Sequence, residues 1–148
     1  MKLRVSLLLV VIAGLAACST PRSEAIDQAT AGARNAAAKA LDYLRANLSS
    51  QAFADTLKSL PDNFQAGVVT VHDSTRDPSG AFSVRAVILG SGEAGGGGFA
   101  AELDVRLCVR YSGSLSGTSH VDMADTPCPD GLPTEDHGFP IEQNITLG

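Results

Sequence analysis

"FAAELDVRLCVRYS", residues 99–112, decides how the chain is read. Phe99, Ala101, Leu103, Val105, Leu107, Val109 and Tyr111 alternate with Ala100, Glu102, Asp104, Arg106, Cys108, Arg110 and Ser112. In an extended chain a period of two puts the first set on one face and the second on the other. The stretch predicts a long strand with one apolar, packed face and one charged, wet face, as in an antiparallel sheet. The charges on the wet face then read as cross-strand pairs, each worth roughly a few tenths of a kcal/mol.

Similar signals flank it. "GVVTVHD" (67–73) and "AFSVRAVILG" (81–90) read as two strands, with Phe82, Val84, Ala86 and Ile88 on one side of the second. "STRDPSG" between them is turn chemistry. "SGEAGGGG" (91–98) reads as a flexible hairpin connection. After residue 112, "GSLSG" is a turn and "TSHVDMAD" (118–125) a fourth strand. The tail from Pro127 is rich in Pro, Gly and Asp, with a short final strand expected at "IEQNITL".

Upstream the period lengthens. Ile26, Ala29, Ala33, Ala37, Ala40, Leu41, Leu44 and Leu48 fall at helical spacing, with Ser23 as candidate cap and Glu24 and Asp27 near the start. The first half of this face is alanine, which either packs closely on a partner or stays thinly buried. A break is expected near Asn47–Ser50. Phe53, Leu57 and Leu60 then mark a second short helix ended by Pro61. Helix first and meander after predicts an α+β domain: an N-terminal helical segment packed on a curved antiparallel sheet of about four strands. The layout resembles cystatin-like and NTF2-like domains, a likeness carried by no motif and implying no activity.

Residues 1–18 belong to a different story. Lys2 and Arg4 precede the apolar run Val5–Ala17, which ends at Leu15-Ala16-Ala17-Cys18. The run is too short for the roughly 20 apolar residues that a spanning helix needs, and it has no polar face to suit a core helix. A basic start, a short apolar stretch and small residues describe an export signal. The "LAAC" ending resembles the lipobox of bacterial lipoproteins. That resemblance implies cleavage before Cys18, a diacylglycerol thioether on its sulfur, and a further acyl chain such as palmitate on its new amino group. Two or three chains give stable anchoring, where one is marginal. Ser19 in the next position implies outer-membrane sorting in a Gram-negative envelope. The expected organisation is a signal peptide at 1–17, a lipidated tether at 18–22 and one domain at 23–148, held in the cell membrane on the extracytoplasmic side.

With Cys18 given to lipid, Cys108 and Cys128 are left to each other. An oxidising compartment permits the bond, and their spacing fits neither a redox nor a metal pair. With a tight hairpin at Ser114–Leu115, Cys108 would face Val121–Asp122. The bond would then clip the segment after the fourth strand back over the sheet.

The formal charge is -5 from 11 basic and 16 acidic residues, and without Lys2 and Arg4 only 9 basic residues face 16 acidic ones. No basic cluster exists to neutralise phosphates, so nucleic acid is not an expected partner. The Gly-rich "GSGEAGGGG" lacks the Lys-Ser/Thr of a phosphate loop and precedes a strand. No G-x-S-x-G elbow occurs, and His72, His120 and His137 have no zinc-ligand spacing. Asn47 and Asn144 match the glycosylation pattern, a modification not expected on a bacterial lipoprotein. No metal, cofactor or catalytic residue is therefore expected. The first expectation for function is a non-enzymatic binding or structural role in the envelope, toward a partner protein or small ligand. The alternative is a hydrolase or metal-dependent enzyme in which His72/Asp73 and His120/Asp122 meet across the sheet.

Overall fold

The computed structural model describes residues 20–65, 68–95, 100–116 and 120–148. The expected signal peptide (1–17), the expected lipidation site Cys18 and Phe99 lie outside the described residues. Helix α1 (Pro21–Asn47) is followed by α2 (Phe53–Ser59) and a 3-10 turn at Pro61–Asn63. Six strands follow among the described residues: β1 (Val69–Arg76), β2 (Ala81–Ala94), β3 (Ala101–Ser114), β4 (His120–Asp125), β5 (Glu135–Asp136) and β6 (Phe139–Ile145). The sheet curls strongly into a half-barrel around α1, an α+β architecture as expected. No helix among the described residues is long and apolar enough to cross a membrane.

α1 begins earlier than its pattern suggests. Thr20, not Ser23, is the N-cap; its side chain accepts from the Ser23 amide, and Pro21 opens the first turn. Proline there loses no hydrogen bond, because the first helical N–H groups have no partner in the helix. Pro21 and Arg22 thus belong to the helix rather than to a tether.

The alanine face is fully used. Ala25, Ala29, Ala33, Ala37, Ala40 and Leu44 are completely buried, whereas Ile26 and Leu41 are only partly so. Alanine is required because β2 runs very close beneath. A Cβ placed on Gly90 would stand 2.0 Å from the Ala29 carbonyl oxygen, and one on Gly92 would stand 1.8 Å from that of Ala25. Gly90 and Gly92 lie inside β2, which runs to Ala94 through the first half of the stretch expected to be a connection (91–98). The other wall of the core is Val84, Ile88, Val105, Leu107, Val109 and Tyr111. The buried Tyr111 hydroxyl donates to the Ala37 carbonyl at 3.0 Å, and burial pushes its pKa well above the usual phenol range.

β2 and β3 pair antiparallel over their full lengths, from Ala81↔Ser114 to Ala94↔Ala101. β1 lies outside β2, with a register shift between Val71 and Asp73 that leaves His72 as a bulge. The far edge of β3 is shared: β4 pairs antiparallel with Val109–Ser114, and β6 pairs parallel with Asp104–Leu107. The sheet is mixed and longer than the expected antiparallel meander, because the tail returns in the opposite sense. Arg34 Nε donates to the Thr146 carbonyl, Arg45 Nε to that of Val121, and Arg22 pairs with Glu142, so α1 grips both strands on that edge.

Gly92→Ala is expected to destabilise the domain by at least about 1–3 kcal/mol through forced overpacking. Gly32→Ala, on the exposed side of α1 with nothing within 4 Å of the added Cβ, is expected to stabilise it by about 0.5–1 kcal/mol. Urea denaturation of the two variants checks both signs.

Candidate functional site

On its outer face β3 is exposed at Glu102 and Arg110 but not between them. Asp104, Arg106 and Cys108 are 3 %, 9 % and 3 % exposed. The expectation of a solvated row of cross-strand ion pairs fails here, because the segment after β4 crosses over these residues. Its first fixed point is the Cys108–Cys128 disulfide, with Cα atoms 5.2 Å apart. This is the expected pairing and the expected clip. The hairpin is looser than anticipated, however. Ser114 pairs with His120, and Cys108 lies opposite Thr126, whose amide donates to its carbonyl.

From Cys128 the chain forms a strap over the sheet to the β5–β6 hairpin. His137 (φ 47°) and Gly138 (φ 87°) make the two-residue turn there, both in the left-handed region that a tight hairpin needs. The Ile141 amide donates to the Thr134 carbonyl and closes the strap's far end. Between these fixings an Arg106 Nη donates to the Pro133 carbonyl.

The strap and the sheet enclose a recess of about 260 Å³. Val87, Leu89 and Arg106 form its floor, Thr70 and His72 one side, and Leu132, Pro133, Glu135, Asp136 and Ile141 the other. Most of this lining is apolar. Thr70, His72, Glu135 and Asp136 bring polar groups to it, and Arg106 differs from them in that its Nε is buried and has no hydrogen-bond partner. No carboxylate lies within ion-pair distance of it among the described residues. A buried, unpaired N–H costs roughly 1–3 kcal/mol, and more on a charged group. A fold that tolerates this cost at the wall of a recess has the character of a ligand site.

The His/Asp pairs proposed from the sequence are not brought together. His72 sits on β1 at the recess, while its neighbour Asp73 pairs with Arg85. The Arg85 hydrogen bond and charge hold the Asp73 carboxyl below its usual range, against a smaller opposing effect of desolvation. His120 Nε2 lies 2.7 Å from Asp122 Oδ2 on β4, where both side chains are about two-thirds exposed, at 66 % and 65 %. β2 and β3 stand between β1 and β4, and three strand spacings amount to roughly 14 Å. Among the described residues no group of three or more His, Cys, Asp or Glu side chains could hold a metal ion.

Arg106 and the strap were missed by sequence reasoning. The signal was there in part. The disulfide required the tail to lie over Cys108, and Arg106 is the next residue on that face.

Replacing Cys108 and Cys128 together by Ala is expected to lower stability by roughly 3 kcal/mol on the chain-entropy model. It should also speed amide exchange at Glu135 and Asp136 more than at the centre of β2. Uniform acceleration along the chain would mean that the disulfide does not hold the strap down.

No protein-family model, curated protein or solved structure matches the chain.

Proposed function

We propose that the chain is a bacterial envelope lipoprotein whose folded part binds a small ligand in the recess beneath the strap. The anchoring half of this reading rests on Leu15-Ala16-Ala17-Cys18. The binding half rests on Arg106, a buried cation whose Nε has no hydrogen-bond partner at the wall of a largely apolar recess.

The spacing between the two has a physical consequence. Only Ser19 separates Cys18 from the helix cap Thr20, so the tether spans at most about 7 Å. A lipid on Cys18 holds the N-terminal end of α1 against the bilayer. Phe139, the large hydrophobic side chain that is 39 % exposed, shares a groove with Gln28 at that same end. An acidic domain gains nothing from anionic headgroups, so the acyl chains alone carry the attachment.

Two measurements test the halves separately. Cys18→Ala should abolish labelling by radioactive palmitate and leave the precursor uncleaved; continued labelling overturns the anchor. For the recess, ligand-observed NMR with a mixture of small aliphatic amino acids, carboxylic acids, amines and alcohols should detect binding that Leu132→Arg removes. Binding that is indifferent to Leu132→Arg, or none at all, overturns the binding half.

A further inference from the structure

We infer that the recess takes a small aliphatic amino acid, with its carboxylate on Arg106 and its ammonium group on Glu135 and Asp136. This rests on the reading of the recess as a binding site and assigns the class of ligand.

Charge of both signs lines one small cavity. Arg106 supplies the positive group, 9 % exposed and without a carboxylate partner among the described residues. Glu135 and Asp136 supply the negative groups from the strap. Glu135 makes no ion pair among the described residues, and Asp136 has only the exposed His137 imidazole at 3.8 Å. A plain carboxylic acid would satisfy Arg106 and be repelled by the two acidic side chains. A plain amine would satisfy those and be repelled by Arg106. A neutral apolar molecule would leave the buried guanidinium as it is. A zwitterion answers both signs at once.

Shape and size agree. Val87, Leu89, Leu132 and Ile141 offer an aliphatic surface, which favours a branched hydrocarbon side chain over a polar one. The recess, at about 260 Å³, lies below the roughly 300–1,000 Å³ typical of sites for drug-sized molecules. That volume suits one residue rather than a folded peptide.

The Pro133 carbonyl shows how the carboxylate is received. It accepts from one Nη of Arg106 while Nε goes without. A carboxylate has two oxygens where the carbonyl has one, and it can accept from a guanidinium in the two-pronged manner that a carbonyl cannot. A ligand carboxylate that meets the edge of the guanidinium carrying Nε therefore gives Nε its partner.

Isothermal titration calorimetry on the full chain in detergent tests this with three probes. L-leucine carries both charged groups, 4-methylpentanoate lacks the amine, and 3-methylbutylamine lacks the carboxylate. L-leucine is expected to bind with a Kd of about 1 mM or tighter, and each analogue at least about tenfold more weakly. Arg106→Met should weaken leucine at least about tenfold. Because that variant disturbs a buried site, the pair Glu135→Gln (exposed) and Asp136→Asn (half-buried) supplies a second reading. With both changed, leucine should lose its advantage over 4-methylpentanoate. Absence of leucine binding, equal binding of either analogue, or an unchanged preference in the double variant overturns the assignment. If leucine fails while another small molecule binds in a manner that Leu132→Arg removes, the amino-acid assignment falls and the binding reading stands.

Discussion

The structure depends on the closeness of α1 to β2. Ala25, Ala29 and Ala33 leave the helix backbone almost bare, and Gly90 and Gly92 do the same for the strand. Interior packing tolerates neither gaps nor overlaps of a methyl group. Each side of this contact therefore dictates the other. A core with no Trp and only five Phe and two Tyr has few large side chains with which to fill a wider gap. Narrowing the gap is the remaining solution. It also explains the curl: a long sheet that touches a helix this intimately along one line must bend around it to cover the rest.

The outer face follows from a second constraint. Once α1 has taken the inner face, the chain from Thr126 onward has only the margin of the core left to join, where Ile145 and Leu147 pack. It crosses to the other side instead, held by the disulfide at Cys108 and by parallel pairing of β6 with β3. The crossing covers Asp104 and Arg106, residues chosen for solvent by their chemistry and enclosed by their position. The recess and its unpaired cation are products of that conflict. They lie where local sequence character and tertiary environment disagree, and functional sites tend to sit at such places.

How much of this could be read from the residues depends on the range of the interactions. The alternation from Leu103 to Tyr111 is local and predicted β3 and its packed face. The Ala and Leu spacing predicted α1 and its end near Asn47. The disulfide was legible by elimination once Cys18 was set apart. Gly92 misled, since glycine next to a Gly-rich loop reads as loop. Only the presence of α1 above it turns the same residue into strand. Arg106 misled for a related reason. An alternating pattern states which residues share a face but not whether a later segment lies across it. The pairing of His72 with His120 failed on sheet order, which hydrophobic periodicity does not encode.

The shared edge of β3 bears on the order in which the molecule is made. β2 and β3 are neighbours in the chain and pair through a local hairpin. β6 is synthesised after the other described strands, and it pairs in parallel with residues some forty positions earlier, Asp104 with Ile141 being the first match. Non-local and parallel pairings of this kind form late, because their loop-closure entropy must be met before any contact rewards it. The helix and hairpin can assemble while the tail is still free, but the strap, the disulfide and the recess cannot. An early collapsed species would hold the alanine–glycine contact with Arg106 still open to water. Burial of that cation is then a late step of folding, and it waits for β6.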